Sequence, residues 1–192
     1  MIETLKIVEE ILRPKDKVSF EVFCKSPDFC GSDYIYQFWY DEYAKVPETC
    51  SELLIDGSLG GGKSFVAAYY IAYRVYCLFV DGDPRARFGI APDSPMYVLY
   101  FSTSMTQANR SGFKYLYNAF LSCKWFKENY PINEDVRSSI KFPNNFEICY
   151  ASAEGHQIGL NVWGFILDEA NFRNGVGEGV QEQYDEVTML YT

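Results

Sequence analysis

The chain is short of histidine, basic charge, paired cysteines and long apolar runs, and each shortage removes a class of function. It holds one histidine, His156, and six scattered cysteines (Cys24, Cys30, Cys50, Cys77, Cys123, Cys149) with no Cys-x-x-Cys pair, so zinc-site spacing is missing. Met1–Arg13 carries Glu3, Lys6, Glu9 and Glu10, which does not suit a signal peptide. The thiols are therefore expected to be reduced and mostly buried, in a cytoplasmic protein. The longest apolar stretch, Phe65–Val80, is interrupted by Arg74 and rich in tyrosine, which reads as a buried soluble helix and not a membrane span. Seventeen Lys and Arg against 26 Asp and Glu leave a net charge of −9. A free-standing DNA binder needs a basic face, so that role is excluded for the chain alone. A motor touching DNA through a few local lysines once assembled is not.

What is present is core-forming material. Apolar residues make up 48% of the 192 positions and aromatics 18%, enough for one large domain with a substantial core. Ile2–Leu12 has apolar residues at helical spacing before Pro14; Val18–Cys24 is helix or extended; Tyr34–Ala44 reads as an aromatic-rich helix. Glu52–Asp56, Met96–Phe101 and Val162–Leu167 are short apolar runs of the kind that form buried parallel strands. Helices are expected at Lys63–Phe79, Thr106–Phe120, Ser122–Asn129 and from Glu178 onward, with a loop over Asp81–Pro95. Pro143-Asn144-Asn145 separates Ser139–Phe142 from Phe146–Ala151 as a β-hairpin. Strands alternating with helices predict an α/β fold, a parallel sheet with flanking helices and right-handed crossovers. Ligands in such sheets sit at the carboxyl ends of the strands.

Two motifs fall at those ends. Gly57-Ser58-Leu59-Gly60-Gly61-Gly62-Lys63-Ser64 matches the phosphate-loop pattern at every fixed position. Glycines let consecutive backbone N–H groups wrap a phosphate, and the helix beginning at Lys63 points its positive dipole end at the same anion. Lys63 can bridge the β- and γ-phosphates of ATP, and the Ser64 hydroxyl can ligate Mg²⁺. A glycine-rich turn could precede Lys and Ser by chance, but this one joins an expected strand to an expected helix. The second motif is Phe165-Ile166-Leu167-Asp168-Glu169, an apolar strand ending in two acids. Asp168 would hold the metal; Glu169 would orient and deprotonate the attacking water. Paired acids also end strands for ordinary reasons; joined to the phosphate loop they point to hydrolysis.

The order of Gly57–Ser64, Met96–Phe101 with Ser102-Thr103-Ser104, the hairpin Ser139–Ala151, Gly159–Asn161 and Leu167-Asp168-Glu169-Ala170 resembles that of large terminase subunits, the ATP-driven motors that package DNA into phage and herpesvirus capsids. The resemblance spans about Tyr34 to Thr192 and corresponds to the N-terminal motor domain, with residues 1–33 as a helical extension and 34–192 as the P-loop ATPase domain. It implies an additional-strand, RecA-like P-loop NTPase fold with the hairpin inserted before the Walker B strand and one further strand between the loop strand and the acidic strand. It also implies that Gln37, flanked by Tyr36 and Phe38, reads the adenine edge; an ordinary polar helix residue is the alternative. Implied partners are double-stranded DNA, a portal protein, a small terminase subunit and sibling subunits in a ring, with no membrane, inside an infected host cell.

The chain departs from that pattern in three places. Ser58, Leu59, Gly60 and Gly61 stand where many members carry a loop arginine. His156-Gln157-Ile158 precedes Gly159 where many place an arginine acting on a neighbour's ATP, leaving Arg74, Arg85, Arg87, Arg110, Arg137 and Arg173 as candidates. The coupling strand and nuclease domain are not within these 192 residues, so a fragment or a split-gene product is expected, without nuclease activity. A helicase-like motor shares the glutamine, loop and acidic pair, and a non-hydrolysing nucleotide-binding or interaction module is a third reading.

Overall fold

A computed structural model describes residues 17–56, 60–101, 112–136, 138–150 and 160–168. Ser19 opens the first helix, α1 (Phe20–Lys25), its hydroxyl accepting from Val22 N at 3.3 Å, which satisfies one of the amides that a helix start leaves unpaired. Helix α2 spans Gln37–Tyr43 and α3, the longest, Lys63–Val80. The expected loop after it contains a short helix, α4 (Pro84–Arg87), because Asp83 caps Arg85 N at 2.9 Å and Pro84 fills the first position, where its missing N–H costs nothing. Strand β1 (Met96–Phe101), helices α5 (Gly112–Ser122) and α6 (Lys124–Asn129), and strands β2 (Ser139–Lys141), β3 (Phe146–Tyr150) and β4 (Asn161–Leu167) complete the described elements. The expected helices at 2–12 and 178–192 lie outside the described residues.

The sheet order is β2-β3-β1-β4. β1 runs parallel to both β3 and β4, while β2 is antiparallel to β3. The sheet is therefore mixed, with the hairpin supplying the antiparallel strand. The hairpin closes through Phe142 N to Phe146 O at 2.9 Å. Asn145 takes a left-handed φ of 54°, a conformation asparagine tolerates and three-residue hairpin loops need.

The two faces of the sheet differ. One buries Met96, Val98, Tyr100, Phe146 and Ile148 under α3, α5 and α6, in a cluster that extends to Phe20 and Phe23 of α1. Residues 17–33 thus contribute to the same core as the rest. Phe79 of α3 lies at its centre, ring to ring with Phe126, Tyr130, Phe142 and Phe146. Among the described residues the other face buries only Leu99 and Phe101, flanked by half-buried Tyr97, Cys149, Val162, Phe165 and Leu167.

The expected strand at Glu52–Asp56 is not observed. Residues 51–56 join no ladder, Leu53 is 39% and Leu54 87% exposed, and only Ile55 reaches the core. A strand needs a hydrogen-bonded neighbour. Among the described residues β4 is an edge strand of the sheet, and they include no strand of the kind that the resemblance would place between it and residues 52–56. Helix α2 starts three residues later than expected, at Gln37. All six cysteines are free thiols, but only Cys24 and Cys123 are fully buried, so the expectation of mostly buried thiols is corrected to half-buried for the other four. No helix among the described residues is long and apolar enough to cross a membrane.

Candidate nucleotide-binding site

The phosphate loop is described from Gly60 onward; Gly57, Ser58 and Leu59 lie outside the described residues. Gly60 and Gly62 adopt left-handed φ of 80° and 77°, where a side chain would strain the backbone. A Cβ at either would meet no atom within 4 Å, so conformation and not crowding demands glycine, and the space beside the loop is open. Gly62 is the N-cap of α3, its carbonyl accepting from Val66 N at 2.9 Å. Lys63 and Ser64 therefore occupy the first turn of an 18-residue helix, whose N-terminal amides and dipole favour an anion.

The loop is tied from outside. Trp39 Nε1 donates to Gly61 O at 2.9 Å, linking α2 to the loop's last turn. The residue that the resemblance picks out on that helix is Gln37, not Trp39. The two lie two residues apart and so face different ways on a helix. Gln37 is engaged elsewhere: its Oε1 accepts from Lys25 Nζ at 3.0 Å, and its Nε2 donates to Asp41 Oδ1 at 3.1 Å. Tyr36 and Phe38 beside it are exposed.

Asp168 sits just past β4, its backbone N donating to Phe101 O at 2.9 Å and extending the β1–β4 ladder by one rung. Register pairs Tyr100 with Ile166 and Phe101 with Leu167. Alternation along the strands puts Asp168 on the same face as Ile166 and Tyr100, which is the face carrying α3. The Tyr100 hydroxyl donates to Asp168 Oδ2 at 2.5 Å. Helix α5 closes the arrangement: Gly112 begins beside this pair, while Tyr115, one turn on, meets Phe65 of α3 with ring centroids 5.6 Å apart. The start of α5 thus spans the space between the carboxylate and the first turn of the phosphate-loop helix. Burial pushes the neighbouring Tyr150 phenol up from its usual value, keeping it neutral.

Glu169, the proposed base, lies outside the described residues, as do Arg110, Arg137, Arg173, His156, Ser102–Ser104 and Gly159. Three candidate trans-acting arginines are engaged locally. Arg74 reaches Tyr70 and the Glu48 carbonyl, Arg85 pairs with Asp83, and Arg87 with Asp81. The donor set fits magnesium: a serine hydroxyl and a carboxylate are hard oxygen ligands, and this ion takes few protein ligands beside phosphate oxygens. Ser64 and Asp168 are the residues that would hold it.

No curated protein and no solved structure matches the chain. A family described as "Uncharacterized protein MJ0330, N-terminal P-loop domain" matches residues 16–184. That description names a P-loop domain and no terminase. Loop geometry, the helix that follows it and a match over most of the length agree: the chain belongs to the family of the MJ0330 N-terminal P-loop domain.

Proposed function

We propose that this domain hydrolyses ATP and serves as the motor of a DNA-packaging terminase. The observation that carries the hydrolytic reading is the left-handed Gly60–Gly62 turn feeding α3 on the same sheet face as Asp168. In this reading the loop amides and Lys63 grip the β- and γ-phosphates, and Ser64 and Asp168 hold the metal. Glu169 takes the proton of the attacking water. Magnesium, when bound, neutralises charge across the β- and γ-phosphates. The packaging reading rests on the terminase-like motif order and is supported by the hairpin standing before the acidic strand. Double-stranded DNA, a portal, a small subunit and sibling subunits would be its partners.

Phosphate release tests the first half. Lys63→Ala and Glu169→Gln should each lower turnover at least 100-fold, the range for losing a charged phosphate contact or a general base. Equal rates in all three proteins would remove the enzymatic reading and leave a binding module. Adding DNA tests the second half: stimulation by duplex DNA supports packaging, and stimulation by single strands alone favours a helicase-like motor.

A further inference from the structure

Asp168 does not stand alone at the end of its strand. Tyr100 is 3% exposed, and its ring is held edge-on by Phe113 at 5.6 Å and Tyr150 at 5.9 Å. Packing of this kind locks the phenol's direction, and its hydroxyl ends on Asp168 Oδ2. Gly112 makes the contact possible, because a Cβ there would overlap both the Tyr100 hydroxyl and Asp168 Oδ2. The backbone bond from Asp168 N to Phe101 O anchors the residue on the adjoining position of the same strand. Asp168 is thus fixed by main chain and side chain, both from β1.

We propose that Tyr100 is the positioning residue for the metal-binding carboxylate: its hydroxyl holds Asp168 Oδ2 and so fixes the one orientation in which the carboxylate would meet magnesium. The inference deepens the ATPase reading and rests on it. A hydroxyl held by packing and donating to a carboxylate removes its rotational freedom, so the ordering cost is met before the ion arrives. Gly112 is the second part of the device, since helix α5 can approach the pair only without a side chain there.

Tyr100→Phe keeps the ring and deletes the donor. Titration of wild type and Y100F with a methylanthraniloyl-ATP analogue, at magnesium concentrations from zero to about 1,000-fold above the wild-type half-saturation, tenfold beyond the largest shift expected for such partners, reads the metal separately from the nucleotide. The expected result is a magnesium half-saturation raised about 10- to 100-fold in Y100F. Affinity without metal stays unchanged, and excess magnesium restores wild-type binding. Mn²⁺ uptake followed by electron paramagnetic resonance gives the same comparison with no nucleotide turnover. In an Asp168→Asn background Y100F should add nothing, whereas a merely structural tyrosine would carry its cost into that background. Unchanged magnesium dependence in Y100F, or equal loss of metal-free affinity, overturns the role of Tyr100 while leaving the ATPase reading in place. Wild type that binds no nucleotide at any magnesium concentration overturns both.

Discussion

The two faces of the sheet receive the same strands and treat them differently. On one, Met96, Val98, Tyr100, Phe146 and Ile148 lie under three helices in a continuous aromatic core. On the other, only Leu99 and Phe101 of the described residues are fully buried, among half-exposed neighbours. The polar chemistry sits on the deeply packed face. A carboxylate that must hold an ion in one geometry needs neighbours whose rotamers are locked, and close packing supplies that where a half-covered surface cannot. The difference places the deepest core and the candidate site on the same face.

The largest test contrasts one residue from each face. Phe146 is 1% exposed and meets Phe79, Phe142 and Trp163; Phe146→Ala should cost about 3–5 kcal/mol, as for other buried aromatics. Phe165 is half-buried on the opposite face, and Phe165→Ala should cost about 1–2 kcal/mol. Urea unfolding midpoints measure both. Equal losses would mean that the faces are energetically equivalent and that the contrast is only one of appearance.

A smaller effect comes from within the deep core. The Tyr43 hydroxyl is buried without a hydrogen-bond partner among the described residues, and burial raises its phenol above the usual 10.0. The folded state therefore keeps that proton above pH 10, where the unfolded chain releases it. The stability that Tyr43 contributes is fully present below pH 10 and declines above it, by up to about 1.4 kcal/mol per pH unit. Tyr43→Phe deletes an unsatisfied polar atom and should raise stability at pH 7 by about 1 kcal/mol. It should also flatten the decline above pH 10. Identical alkaline slopes for the two proteins would show that the phenol is solvated after all.

Much of this was legible in the sequence, for reasons that vary by element. The strands Met96–Phe101 and Val162–Leu167 and the hairpin are carried by local composition, and the observed elements fall within a residue or two of those readings. Lys63–Val80 follows from its glycine N-cap and a long apolar run broken only by Arg74. Glu52–Asp56 was misread because apolar composition records a strand's suitability for burial and says nothing of whether a neighbour is there to pair with it. At the site, the loop and Asp168 were visible as motifs. Tyr100, Gly112 and Trp39 were not, since each matters through a partner between 22 and 68 positions away. The adenine role of Gln37 is implied by the terminase resemblance alone, and its hydrogen bonds to Lys25 and Asp41 are invisible to motifs.

Trp39 gives the finest test, because it carries the order of the deep face out to the phosphate loop. Its indole packs against Tyr43, with centroids 6.2 Å apart, while its N–H holds Gly61 O at 2.9 Å. Trp39→Phe keeps an aromatic ring on α2 while deleting the donor and part of the indole's ring surface. If the bond holds the loop ready for phosphate, nucleotide affinity should fall about three- to fivefold, the value of one neutral hydrogen bond, with the unfolding midpoint nearly unchanged. Calorimetric titration and thermal unfolding of the same samples read the two quantities separately. Should stability fall while affinity holds, the indole would be only a strut between α2 and the loop, and the influence of the packed face would end before the phosphates.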